Sequence, residues 1–208
     1  MIQRDPDTTP GRLSGSLFVE SIANFMERFF LIRGEVILAI VDIQDKLAAV
    51  MGEREKVIAN TLHLVEAAKI FKIPMVLTEQ YPKGLGPTVG EVRTALASYE
   101  PIEKTDFGCC REAAFLRSLS SSGKKKVILA GMETHICVLQ TCLGLLKEGY
   151  AVHVVSDAVC SRARGNHTTG IEFMRDAGAV ITGTETVLFQ LLEKAGTEEF
   201  RMISRRIK

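Results

Sequence analysis

The sequence predicts an α/β fold, a doubly wound six-stranded parallel sheet with helices on both faces. Three observations predict it. Val36–Val41 (VILAIV) is a continuous, mostly β-branched apolar run that stops at Asp42, as a strand buried on both faces does. Short runs of this kind then alternate with segments of helical periodicity, which implies right-handed βαβ units. With 46% hydrophobic and 25% charged residues over 208 positions, the chain has the composition of one folded domain.

Each element follows in order. Residues 1–33 read as an N-terminal extension, in part disordered, and residues 34–208 as the domain. Pro6, Pro10, Gly11 and Gly15 mark a mobile tail. Leu17, Phe18, Ile22, Phe25, Met26, Phe29 and Phe30 fall near helical spacing, and Met26 offers an alternative start. After the first strand, Val57, Ile58, Leu62, Val65 and Ala68 place an amphipathic helix over 53–71. Residues 74–78 (PMVLT) are a second buried strand, 81–87 a Pro- and Gly-rich loop, and 89–97 a short helix. Ile102–Lys104 is assigned as a strand from context, and 111–119 as a helix. A charged run at 124–126, expected to be solvated, leads into a strand over 127–131. A helix over 135–148 closes at Gly149, and 150–156 (YAVHVVS) is a strand. A helix over 166–176, a last strand over 179–182 and a helix over 184–194 complete a Rossmann-like three-layer α/β/α arrangement.

Composition excludes several classes. Lys plus Arg is 26 against 25 for Asp plus Glu, so the net charge of +1 gives no field for nucleic acid or an anionic membrane. No apolar run approaches a membrane span, and residues 1–25 lack the pattern of a signal peptide. Cys109, Cys110, Cys137, Cys142 and Cys160 are too few and too irregularly spaced for a disulfide scaffold or a zinc motif with the four histidines. A reducing cytoplasm is expected. Five is odd, so at least one thiol stays unpaired within the chain. No GxGxxG, P-loop or GxSxG motif occurs.

Ligands of doubly wound sheets bind at the carboxyl ends of strands, so candidate residues are sought there. Asp42 follows the first strand; a helix-cap acid and a functional carboxylate both fit. Lys104 ends the third strand, although lone lysines are ordinarily solvated. Cys137 follows the fourth strand within the turn Gly131-Met132-Glu133-Thr134-His135-Ile136-Cys137-Val138. With Thr134 as N-cap, Cys137 falls in the first helical turn, where the helix dipole lowers a thiol pKa and free N–H groups await an oxyanion. A small buried core cysteine is the alternative. His135 stands too near in sequence to face Cys137 and is assigned to the substrate pocket or an interface. Cys109 and Cys110 read as a loop pair, Cys142 as core, and the tail with Arg201, Arg205 and Arg206 as basic but short.

Val41-Asp42-Ile43-Gln44, the central Lys104 and Gly-x-Glu-Thr-His-x-Cys-Val at 131–138 together resemble the isochorismatase-like cysteine hydrolases, from about residue 35 to the C-terminus. Thr78-Glu79-Gln80-Tyr81-Pro82 and Lys104-Thr105-x-Phe107 resemble the isochorismatase domain-containing branch. The resemblance implies a catalytic triad of Asp42, Lys104 and Cys137, with a cis bond between Met132 and Glu133. It implies an oxyanion hole from the N–H groups of Glu133 and Cys137, and a pocket with Gln44, Glu79, Tyr81, Phe107 and His135. The implied reaction cleaves a C–N, amide-like bond of a small molecule through a thioester on Cys137, in a homo-oligomer without cofactor. Asp42→Asn is then expected to leave a less reactive thiol. Glu79-Gln80-Tyr81 stands where nicotinamidases carry an Asp-x-His metal motif, so no metal is expected. Cys137 argues against the vinyl-ether cleavage of isochorismatase proper. Two other readings stay open: a catalytically silent scaffold protein with 17–30 as contact element, and a thiol redox protein pairing Cys137 with Cys109 or Cys110.

Overall fold

The computed structural model describes residues 25–207, in two units that divide between Phe30 and Leu31. Within the first, the Phe25 and Phe29 rings meet edge to face at 5.5 Å, with the Arg28 guanidinium 5.6 and 5.4 Å from their centroids. The tail expected over 1–16, and the part of the 17–30 helix before Phe25, lie outside the described residues.

The second unit starts three residues before the expected domain edge, because Leu31 and Arg33 are tied into it. The Leu31 N–H donates to Gln190 Oε1 at 2.8 Å, and the Arg33 guanidinium stacks 4.2 Å over the Phe71 ring. Its centre is a six-stranded parallel sheet in the order β3-β2-β1-β4-β5-β6. The strands are β1 (Val36–Val41), β2 (Met75–Gln80), β3 (Ile102–Lys104), β4 (Lys126–Met132), β5 (Ala151–Cys160) and β6 (Val180–Thr182). Every residue of β1 and β4 is buried. Their side chains alternate between the faces: Leu38, Ile40, Ile128 and Ala130 pack on one, Ile37, Ala39, Val127 and Leu129 on the other.

The helices are α1 (Asp45–Ala48), α2 (Arg54–Ile70), α3 (Pro82–Leu85), α4 (Gly90–Ala95), α5 (Ala113–Ser122), α6 (Leu139–Lys147), α7 (Arg164–Asp176), α8 (Thr184–Leu192) and α9 (Glu198–Ser204). In register, Val41 stands beside both Thr78 and Gly131, and Gln80 beside Lys104. The strand order reverses between β1 and β4, so the segments after these strands leave the sheet around one crevice.

Four local expectations are corrected. The expected helix start at 135 is a π-helical turn over Thr134–Val138, in which the Val138 N–H reaches the Glu133 carbonyl at 3.2 Å. β5 continues to Cys160, four residues past its expected end. Lys126 is not part of a solvated run: it opens β4, is 4% exposed and pairs with Glu35 at 2.9 Å. The segment leading into the basic tail forms α9, which includes Arg201 and ends before Arg205, and is capped by Thr197, whose Oγ1 accepts the Phe200 N–H at 3.1 Å.

Candidate functional site

Asp42 leaves β1 in the left-handed region, at φ 54°, a conformation that Asp tolerates better than most residues. Its side chain is fully buried. Oδ1 accepts the Thr78 hydroxyl at 2.7 Å, and Oδ2 receives the Lys104 ammonium at 2.6 Å. Lys104 also donates to Gln80 Oε1 at 2.6 Å and to the Phe107 carbonyl at 3.2 Å. Both charged groups are inaccessible to solvent, so their lost hydration is offset only by each other and by these hydrogen bonds. Burial works against the ammonium. The Asp42 carboxylate and the Cys109 and Cys137 sulfurs overcome it and hold the Lys104 pKa above the ordinary lysine value.

Cys137 completes the group from the π-helical turn after β4 and is 5% exposed. The sequence predicted a lowered thiol pKa; the structure raises it. Burial is the largest cause, and the Asp42 charge and a hydrogen bond to Asp42 add to it, while Lys104 opposes them. The turn is π-helical, with Glu133 rather than Thr134 at its N-cap, and runs directly into α6, so Cys137 does stand near a helix start, but burial and the Asp42 charge decide its pKa. The Thr134 hydroxyl pairs with His167 Nδ1 at 2.9 Å.

The turn is held residue by residue. The Met132–Glu133 bond is cis. Glu133, 3% exposed, accepts the Arg162 backbone N–H at 2.9 Å and its Nε at 3.2 Å. His135 pairs through Nδ1 with Ser161 Oγ at 2.9 Å and through Nε2 with Asn166 at 3.2 Å. Gly170 of α7 lies directly beneath: a Cβ there would stand 3.1 Å from His135 Cα and the Thr134 carbonyl oxygen. On the β1 side, Gly131 has φ 139°, and an added Cβ would fall 2.1 Å from the Val41 carbonyl oxygen.

The expected pocket residues separate into two groups. Tyr81 and Phe107 flank Lys104 through the backbone, and their side chains are 56% and 53% exposed. Gln44, Glu79 and His135 do not stand free for a substrate, because their polar groups are already engaged. Gln44 Nε2 donates to the Gly86 carbonyl at 2.6 Å, and its Oε1 accepts the Gln80 N–H at 2.7 Å. Glu79 is 3% exposed and accepts the Thr88 hydroxyl at 2.7 Å and the Tyr99 hydroxyl. Both brace the segment between β2 and α4, while His135 anchors the turn.

Sequence reasoning missed Thr78, Gln80 and Cys109. Thr78 and Gln80 lie two apart at the end of β2 and so share a face, but Glu79 between them is polar too, so no alternation marked them. Cys109 is no loosely placed loop thiol: it is fully buried, 3.7 Å from Thr78 Oγ1. Burial and the Asp42 charge push its pKa up to about 11. Among the described residues, no group of three or more His, Cys, Asp or Glu is placed to hold a metal ion. A cleft of about 550 Å³ lies at the end of β5 and is lined by none of Asp42, Lys104 and Cys137.

The ends of β1 and β3 and the turn after β4 thus bring a buried carboxylate, a fixed cation and a buried thiol within electrostatic reach of one another. Known proteins share the framework. Residues 36–186 match the model of the isochorismatase domain. The secreted isochorismatase effector Isc1 of Phytophthora sojae is 40% identical over 176 residues, 83% of this chain and 84% of that protein. Isochorismatase domain-containing protein 2 of Danio rerio is 36% identical over 173 residues, 83% of this chain and 86% of that protein. Among solved structures, the MAR1 ribonuclease of Caenorhabditis elegans superposes with a TM-score of 0.80 at 36% identity, covering 86% of this chain and 92% of its own. The YcaC gene product of Escherichia coli, described as an octameric hydrolase of unknown specificity, gives a TM-score of 0.80 at 25% identity, covering 85% and 90%.

Proposed function

The chain belongs to the isochorismatase family, and from that premise we propose that it is a cysteine hydrolase cleaving an amide-like C–N bond of a small molecule through a thioester on Cys137. The observation that carries the proposal is the buried Asp42 carboxylate, which meets Lys104 at 2.6 Å and whose charge acts on the Cys137 thiol.

The raised thiol pKa dictates the first step. Cys137 rests as a neutral thiol, so proton loss is coupled to attack. As Sγ bonds to the carbonyl carbon, its proton passes to Asp42, and the carbonyl oxygen takes the negative charge. The N–H groups of Glu133 and Cys137 are the proposed donors to that oxyanion, each worth about 3–4 kcal/mol in comparable sites. The C–N bond then breaks, with Asp42 returning the proton to the departing nitrogen. Water attacks the thioester and gives a proton to Asp42. The C–S bond breaks, the acid leaves, and that proton restores the thiol. Lys104 stays protonated throughout, in keeping with its raised pKa. Tyr81 and Phe107 supply an uncharged rim, which suits a neutral substrate.

Assembly into a homo-oligomer is part of the proposal and is supported by the octameric relative. A reducing compartment such as the cytoplasm is part of the proposal, suited to a nucleophilic thiol that must stay unpaired. Among the described residues no helix is long and apolar enough to cross a membrane.

One observation favours the silent-scaffold reading: Cys137 is only 5% exposed. Intact-protein mass spectrometry during incubation with small neutral amides separates the two. A hydroxylamine-labile acyl adduct on Cys137 supports the hydrolase. An absence of adduct and of turnover across the panel supports the scaffold.

A further inference from the structure

The 550 Å³ cleft at the end of β5 is of small-molecule size. Its lining includes Lys56 from α2, Arg164 and His167 from α7, and Ser161 and Arg162 from the segment between β5 and α7. Lys56 and Arg164 are exposed, and neither is in a salt bridge among the described residues. Arg162 meets Glu133 through Nε, leaving Nη1 and Nη2 without a hydrogen bond among the described residues. Three cations therefore have donors to spare on one cleft.

Two carboxylates share the lining. Asp157 commits Oδ1 to the Thr184 N–H and hydroxyl, both at 2.8 Å, and Glu53 sits exposed on α2's approach. At His167, burial and the charges of Lys56 and Arg164 prevail over Glu53 and lower its pKa below the ordinary value.

The same wall grips the nucleophile turn. Arg162 holds Glu133, His167 holds Thr134, and Ser161 holds His135: three successive residues of the turn, each on a cleft residue. We propose that this cleft is a second ligand site, for a small multivalent oxyanion of the phosphate type, whose occupant acts on the Cys137 turn through Arg162. An oxyanion on Nη1 and Nη2 shares the Arg162 guanidinium charge with Glu133 and draws it toward the cleft, and slackening the Nε pair frees the turn.

Inorganic phosphate and pyrophosphate are the probes, titrated calorimetrically into the full chain at low ionic strength, with sodium chloride of equal ionic strength as control. Binding is expected for the wild type. It should weaken about tenfold or more in the Lys56→Ala/Arg164→Ala double variant, which removes two exposed cations and leaves the core intact. Saturating pyrophosphate should speed iodoacetamide alkylation of Cys137 in the wild type and leave the double variant unchanged. Failure of both anions to bind, equal binding by the double variant, or an unchanged or slowed alkylation rate overturns the proposal. Neither readout uses turnover, so the outcome stands apart from the hydrolase reading.

Discussion

Two oxygens of one carboxylate organise the site. Asp42 Oδ1 is fixed by Thr78 and Oδ2 by Lys104, so the group can receive a proton without turning. Lys104→Met would leave that carboxylate buried without its cation, costing about 3–5 kcal/mol in a denaturant titration. Cys137→Ala should abolish turnover, by about a thousandfold or more, with the denaturation midpoint nearly unchanged. Asp42→Asn reverses the expectation drawn from sequence. The carboxylate raises the thiol pKa by its charge and its hydrogen bond, and Lys104 lowers it. Removing the carboxylate should therefore shift the pH profile of Cys137 alkylation downward while turnover is lost. An unshifted profile would show that Asp42 does not act on the thiol. Asp42, Lys104 and Cys137 were legible as candidates because each stands at the end of a strand or in the turn that follows one. Thr78 and Gln80 were not, because a polar residue inside a strand has no meaning until the neighbouring strand's register is known.

The turn over Thr134–Val138 depends on its neighbours more than on its own residues. A hydrogen bond from Val138 to Glu133 is not written in the composition of THICV. It is selected by Gly170 below, by Arg162, His167 and Ser161 beside it, and by Gly131 ahead of it. This is why periodicity alone gave an α-helix from 135. The predicted dipole-lowered thiol failed for another reason: burial and a carboxylate outweigh what the helix start contributes. Gly131→Ala should destabilise the fold by about 3 kcal/mol or more, since its φ of 139° and the 2.1 Å approach to the Val41 oxygen admit no Cβ. A loss below about 1 kcal/mol in thermal or chemical denaturation would contradict that packing.

At the scale of the whole molecule, the sheet was legible and its polar exceptions were not. β1 and β4 announce themselves because strands covered on both faces must be apolar throughout. Lys126 and the last residues of β5 were missed because their burial comes from Glu35 and from the packing of α2, which lie far away in sequence. The buried thiols give the molecule an alkaline limit. Burial pushes Cys109 up to about 11, and Cys110, Cys142 and Cys160 up to about 12, from an ordinary 9.0. A raised native pKa means the folded chain keeps protons that the unfolded chain releases. The stability these thiols contribute is complete below the unfolded value and is lost as pH rises through the folded ones. The melting temperature should thus fall progressively above about pH 9, and one that holds constant to about pH 11 would contradict the burial of these groups. The central claim, that Cys137 cleaves C–N bonds, is tested most directly by ammonia or amine release from a panel of small amides and ureides. Release by the wild type that disappears in the folded Cys137→Ala variant is the predicted result; release by that variant at the wild-type rate would contradict it.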